Sequence, residues 1–338
     1  MINDEALLDN DMLLKSKTDA TDESGPIDNM RIFNEPTPET SSLFDSFQLL
    51  LNTAIGSGTL MVPYCYSTGV LLSLLISLLF ATIAYFTLNF MAESGYFARK
   101  YDYKGLFEHT FGRKRLWIVN TMIICVQLGA SMIYCHWNGR LVPKLLGTDT
   151  RTDILGNTKF WTFAIAICFS LPIVCLKSIY YIEKLAVVST LTIILLIVHA
   201  GYFMIVHISR DGFDPQNRMR WFNFNAAVIT SFSVNSMAYN CHLNLFIAIE
   251  HMKVPTVGRA KKLAGSTIGT SFILYNLFGI FTYFDLFDTI GKGSSLECYD
   301  NSHIFTKFTL AGIIFMLILS VPIVIWSARR SANSMFFN

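Results

Sequence analysis

Residues 46–69 read SFQLLLNTAIGSGTLMVPYCYSTG. The run is apolar and long enough to cross a bilayer, which takes about 20 residues of helix. Yet Gly56, Ser57 and Gly58 fall in its middle, and Pro63 follows. Glycine costs a helix interior about 1 kcal/mol and proline about 3, and Pro63 also lacks an amide donor and crowds the preceding turn. The spacing predicts a membrane helix that unwinds near the bilayer midplane. Such unwinding is tolerated only where the backbone lines a cavity or binds something. The amides around Ser57, Gly58 and Thr59 open the second half-helix, whose positive end suits an anion such as a carboxylate. The carbonyls that close the first half, from Asn52 to Ile55, suit a cation. A Gly-Ser packing notch against a neighbouring helix is the other reading of the same residues.

Outward from this stretch the chain repeats the apolar theme. With the first at about 46–67, further spans lie near 70–92, 116–138, 160–176, 185–208, 222–249, 263–284 and 305–328, eight in all. The runs do not alternate as barrel strands would, and backbone groups in lipid must be satisfied within each segment. The fold class is therefore all-α, a polytopic membrane helix bundle. Composition agrees: 52% of the 338 residues are hydrophobic and 15% charged, against about 25% charged in a soluble domain, and mean hydropathy is +0.44. This excludes a soluble enzyme with a polar surface, a collagen-like or disordered chain, and a nucleic-acid binder with a basic face.

The charge is unevenly placed. Residues 1–45 hold 11 acidic and three basic side chains, and the remainder holds 13 acidic and 23 basic. Residues 1–42, rich in Asp, Ser, Thr and Pro, read as a disordered acidic tail, and residues 43–338 as the transmembrane domain. The tail lacks the pattern of a signal peptide. With the N-terminus inside, the inner loops and C-terminal end carry 14 Lys/Arg and the outer loops nine, which supports cytoplasmic termini. Cys65, Cys135 and Cys298 lie near the outer face, where one disulfide is compatible with their positions.

The sixth segment holds a second anomaly. Residues 231–246 read SFSVNSMAYNCHLNLF and crowd Asn235, Ser236, Tyr239, Asn240, His242 and Asn244 into one stretch at membrane depth. Polar side chains there usually face a bundle interior or a cavity, although interhelical hydrogen bonding explains single cases. Segments one and six are five helices apart. Broken helices in corresponding positions of two halves point to a secondary transporter with inverted repeats and a midplane binding site. No nucleophile–base pair or metal cluster lies at membrane depth, so neither an enzyme nor a bound cofactor is expected.

These residues also carry a resemblance. NTAIGSGTLMVPYCYSTGV (52–70) is similar to the first-helix signature of the amino acid/auxin permease family, in its sodium-coupled neutral amino acid transporter branch. FSLPIVCLKSIYYIEKLAVVST (169–190), NCHLNLFIAIEHMKVPTVGRAKKL (240–263) and LSVPIVIWSARRSANSMFF (319–337) resemble that branch's fourth, sixth and eighth helices. The resemblance implies a five-plus-five inverted-repeat (LeuT-type) fold with helices one and six broken. It implies symport of a neutral amino acid with sodium or a proton, in the plasma or an endolysosomal membrane. On this reading the substrate carboxylate sits on the turn of Gly56, Ser57, Gly58 and Thr59, and its ammonium near helix-six carbonyls from Phe232 through Asn235 to Ser236. Sodium falls to Asn52, to the carbonyls of Ala54 and Ile55, and to Ser320, where the family more often shows Thr. His242 matches the family motif and is read as structural or as proton-titrating.

A complete five-plus-five repeat runs past the eight segments found here, so the resemblance implies an incomplete repeat and a domain truncated at its C-terminal end. A truncated, non-transporting membrane sensor or regulatory subunit is the alternative function. In the tail, Asp9, Leu13 and Leu14 form the acidic dileucine pattern that sorting adaptors read. The other expected partners are the amino acid and membrane lipid.

Overall fold

The computed structural model describes residues 42–100, 102–174, 180–212, 219–250, 252, 255–287, 295–299 and 301–336. The acidic tail and its Asp9, Leu13 and Leu14 lie outside the described residues. Every regular element among the described residues is helical.

The first segment is two helices, α1 (Leu43–Ala54) and α2 (Ser57–Cys65), separated at Ile55 and Gly56. A capping box starts α1: Ser42 Oγ accepts the Asp45 amide and the Asp45 carboxylate accepts the Ser42 amide. Pro63 does not break α2 but comes within its last turn, and a 3₁₀ turn over Tyr66–Thr68 follows. Next come α3 (Val70–Ala98), the short α4 (Tyr103–Phe111) and α5 (Leu116–Leu146). The fourth segment, α6 (Thr158–Ile165) and α7 (Leu171–Val174), is joined by a π-helical turn over Ala166–Ser170. Pro172 supplies the reason, since it has no amide to offer the preceding turn and a wide turn absorbs the mismatch. After α8 (Tyr180–Asp211) the sixth segment is again split, into α9 (Ala227–Ala238) and α10 (Leu245–Glu250). The last two elements are α11 (Val257–Leu286) and α12 (Ile304–Phe336).

Five of these helices, α3, α5, α8, α11 and α12, carry stretches long and apolar enough to cross a membrane. The remaining three expected spans are the two split segments and the π-interrupted one. The packing follows the expected repeat. α5 packs most extensively on α12, α3 on α11, and α2 on α9, so segments three, two and one each meet the segment five places later. α8 fills in against α11, α12 and α1.

The surface is inverted relative to a soluble protein. Leu78, Phe86, Phe90, Met122, Phe163 and Ile167 are exposed, while Asn52, Asn138, Asn235, Asn244 and Asn276 are buried. This is the arrangement of a multi-pass membrane protein. The polar interior is connected: Tyr66 OH donates to Asn276 Oδ1 (2.7 Å), Asn276 Nδ2 donates to Ser77 Oγ (3.1 Å), and Ser77 Oγ shares a hydrogen with Tyr239 OH (2.8 Å). That chain ties the end of α2 to α11, α3 and the end of α9. At the C-terminal end of α5, Arg140 pairs with Glu297 (2.7 Å) and Lys144 donates to the Glu297 carbonyl (2.6 Å), pinning a turn whose Leu296 is buried. Burial pushes the Glu297 carboxyl above its ordinary value, against the pull of Arg140, Lys144 and His136. All six described cysteines are free; Cys65 is buried within 3.9 Å of Asn235 Nδ2, so the disulfide allowed by sequence position is not formed among them.

Candidate functional site

Both helix breaks open onto one cavity of about 250 Å³. The first segment contributes Thr53, Ala54, Gly56 and Gly58, and the sixth contributes Met237, Asn240, Cys241, Leu243 and Asn244. α5 supplies the facing wall, with Gln127 and Tyr134, and α12 supplies Val324. The volume holds several waters' worth of liquid, each about 30 Å³, and suits a small ligand. Among the described residues, no charged side chain lines it.

The first break is made by space. Gly56 has φ −114°, which any residue can adopt, but a Cβ there would run into the Tyr134 phenol oxygen. At Gly58 a Cβ would stand 3.0 Å from the Ala238 Cα, so the two broken segments touch through this glycine. Thr59, fully buried, turns its amide back to the Gly56 carbonyl (3.1 Å). The amides of Ser57 and Gly58, in the first turn of α2, have no intrahelical acceptor by position.

One tyrosine holds both breaks. Tyr275 of α11 is buried, and its hydroxyl lies 2.6 Å from the Ala54 carbonyl and 3.1 Å from the Ala238 carbonyl, the last residues of α1 and α9. The Ala54 carbonyl also accepts the Gly56 amide (2.9 Å). Two donors thus already meet the Ala54 carbonyl, which is expected among the sodium ligands. The other expected cation residues stand differently. Asn52 is buried with Oδ1 lacking any hydrogen bond, Ile55 is buried as the C-cap of α1, and buried Ser320 donates to the Met316 carbonyl (2.9 Å), leaving its lone pairs as acceptors. α1 and α12, which carry Asn52 and Ser320, are in contact.

The sixth segment departs further from expectation. α9 stays helical through Ala238, and the chain leaves the helix over Tyr239–Cys241, later than the Phe232–Ser236 carbonyls expected for the ammonium. Phe232 is exposed and packs edge-on against Phe80, Ser236 is exposed, and Asn235 gives its amide to the Ser231 carbonyl (2.9 Å). None of these three lines the cavity. The reason is local: nothing in residues 232–238 opposes helix, and the Asn235 carbonyl still accepts the Tyr239 amide one turn ahead (3.1 Å). His242 turns away, its Nε2 2.7 Å from Thr87 Oγ1 on α3.

Several site residues escaped the sequence reading. Gln127 and Tyr134 sit in the third segment, which the sequence marks only as an apolar span, and their polar character at membrane depth is the available signal. Tyr275 and Asn276 form a polar pair in the seventh segment whose partners lie 221 and 210 residues away, beyond any local pattern.

Residues 39–338 match the family model described as transmembrane amino acid transporter protein. Among curated relatives, a Mus musculus protein named for sodium-coupled neutral amino acid transport is 25% identical, over 85% of this chain and 64% of its own length. Vacuolar amino acid transporter 2 of Saccharomyces cerevisiae is 26% identical over 81% of this chain and 58% of its own. Solute carrier family 38 member 10 of Homo sapiens is 18% identical over 85% and 26% respectively. The chain thus spans less than two thirds of the length of these relatives. The match to the family model covers all of the described helices together with both breaks, and the chain belongs to the transmembrane amino acid transporter family.

Proposed function

We propose that the protein carries a neutral amino acid across a membrane through the cavity between its two helix breaks. The single observation that carries this reading is that both breaks converge on one uncharged cavity of about 250 Å³. A zwitterion needs compensation for two charges, and helix ends supply both without side-chain charge. The carboxylate is placed at the start of α2, on Ser57 and Gly58, where the helix end is positive. The ammonium is placed at the carbonyls and side chains of the Tyr239–Cys241 turn, with Asn240 beside it. With no charged lining residue, a substrate bearing a charged side chain meets an uncompensated desolvation cost.

Sodium is the coupling ion on this reading. Hard oxygen donors suit it, and the unpaired buried Oδ1 of Asn52 with the Ser320 hydroxyl and the Ile55 carbonyl provide them. Coupling is a linkage: ion and substrate each raise the other's affinity. No bond is made or broken in the cycle, so no catalytic residue is assigned. The loop charges support cytoplasmic termini, and Asp9, Leu13 and Leu14 would address the chain to sorting adaptors.

The test is reconstitution of the purified chain into proteoliposomes. Uptake of labelled alanine or glutamine is measured under an imposed sodium gradient and, separately, a proton gradient. Saturable, sodium-driven uptake is the expected result. Absence of saturable uptake under either gradient overturns the carrier reading, and uptake driven by protons alone overturns the sodium assignment.

A further inference from the structure

Leu243 lines two cavities. One is the cavity at the helix breaks. The other, about 240 Å³, lies where α10 and α12 end, beside the start of α4. Its lining differs in kind: Asp102, Lys104, Glu250 and Arg330 all contribute to it, whereas no charged residue among those described lines the first cavity. Glu250 and Arg330 stand 4.0 Å apart, the loose end of ion-pair range.

The wall between the two is thin and specific. Asn244 Nδ2 donates to Thr53 Oγ1 (3.2 Å), and Ser327 Oγ donates to Asn244 Oδ1 (2.8 Å). Thr53 and Asn244 line the first cavity and Ser327 the second. The clasp therefore crosses the wall and joins the end of α1, the start of α10 and α12. Toward α2 the barrier is of another order, since the buried Tyr66–Asn276–Ser77–Tyr239 chain and the Tyr275 hydroxyl knit four helices together.

We propose that Leu243 and the Thr53–Asn244–Ser327 clasp form a gate, and that the second cavity is the vestibule through which the amino acid passes on the α10–α12 side. The inference rests on the first cavity being the substrate site. Two neutral hydrogen bonds and one leucine rotamer are a lighter closure than the four-helix network toward α2. Beyond it, Lys104 and Arg330 offer the carboxylate a partner and Asp102 and Glu250 offer one to the ammonium, so a zwitterion leaving the helix ends meets compensating charge before it meets water.

Cys241 reports on this passage, because it is buried and lines the first cavity. In the full chain with the other six cysteines replaced, the rate of Cys241 modification by a small charged methanethiosulfonate is measured in detergent. Leu243→Ala is expected to raise the rate at least tenfold and Leu243→Phe to lower it. Ser331→Trp, which fills the vestibule, is expected to cancel the rise when added to Leu243→Ala. Should Leu243→Ala lose monodisperse elution, Leu243→Val replaces it with a smaller rise. Rates indifferent to Leu243, or a rise that Ser331→Trp leaves intact, overturn the gate. Binding of labelled alanine and glutamine to the unmodified chain is measured in parallel. Labelling that follows Leu243 in a chain that binds neither upholds the passage and refutes the substrate site.

Discussion

In the first segment the chain leaves its helix at Ile55 and Gly56, where Gly56 and Gly58 let other helices approach. In the sixth it does so at Tyr239–Cys241 with no glycine at all. There the turn is kept by short-range bonds: the Asn240 amide reaches the Met237 carbonyl (3.2 Å) and the Cys241 amide the Tyr239 carbonyl (3.1 Å). Tyr239 and Cys241 have φ of −90° and −117°, open to any residue. The pair teaches that a break in a membrane helix needs partners for the freed backbone more than it needs flexible residues. Glycine marks the first break because Tyr134 and Ala238 require the room. Tertiary hydroxyls and amides, chiefly Tyr275 and Asn244, define the second.

The sharpest way to break this contrast is Gly56→Ala. The added methyl meets the Tyr134 oxygen across the cavity, and amino acid binding to the purified chain is expected to fall at least a hundredfold, about 2.7 kcal/mol. Tyr134→Phe added to it removes the oxygen and should restore part of the loss; a Gly56→Ala chain that binds normally would show that room is not what the glycine provides. Next in size is Tyr275→Phe, which withdraws one hydroxyl from both breaks. Leaving buried acceptors unpaired costs about 1–3 kcal/mol, so thermal unfolding in detergent should drop by several degrees, and no drop would mean the breaks are held independently.

Asn52→Ala is expected to leave unfolding nearly unchanged while raising the sodium concentration for half-maximal uptake about tenfold, or about 1.4 kcal/mol. The smallest effect belongs to Asn240→Gly. If the sixth break already sits in ordinary backbone torsions, a glycine adds only its conformational entropy, less than about 1 kcal/mol, and a larger change in unfolding would mean the Asn240 side chain holds the turn.

The two breaks also explain how much of the molecule the residues announce on their own. The long apolar runs of α3, α5, α8, α11 and α12 are legible because lipid demands them. So is the first break, where Gly56 and Gly58 interrupt such a run. The sixth segment advertises its polarity but not its turning point, because the hydroxyls that tie the turn to the rest of the fold, those of Tyr275 and Ser327, come from α11 and α12. Proline proved a weak guide: Pro63 ends a helix late, Pro172 widens one into a π turn, and Pro322 lies inside α12 without ending it. The α5 wall was invisible for the opposite reason. A charge-free span gives no hint of which face meets a cavity, and Gln127 and Tyr134 are noticed only once their neighbours are known.

The Tyr275 hydroxyl sets a timetable for biogenesis. The Ala54 carbonyl it engages was made 221 residues earlier. At about 5–20 residues per second, the ribosome takes about 11–44 s to reach the tyrosine. For that interval the first segment is a membrane helix with an open seam and no permanent partner for it. Until the seventh segment arrives, the Gly56 amide is the local partner of the Ala54 carbonyl, and water can stand in for the hydroxyl.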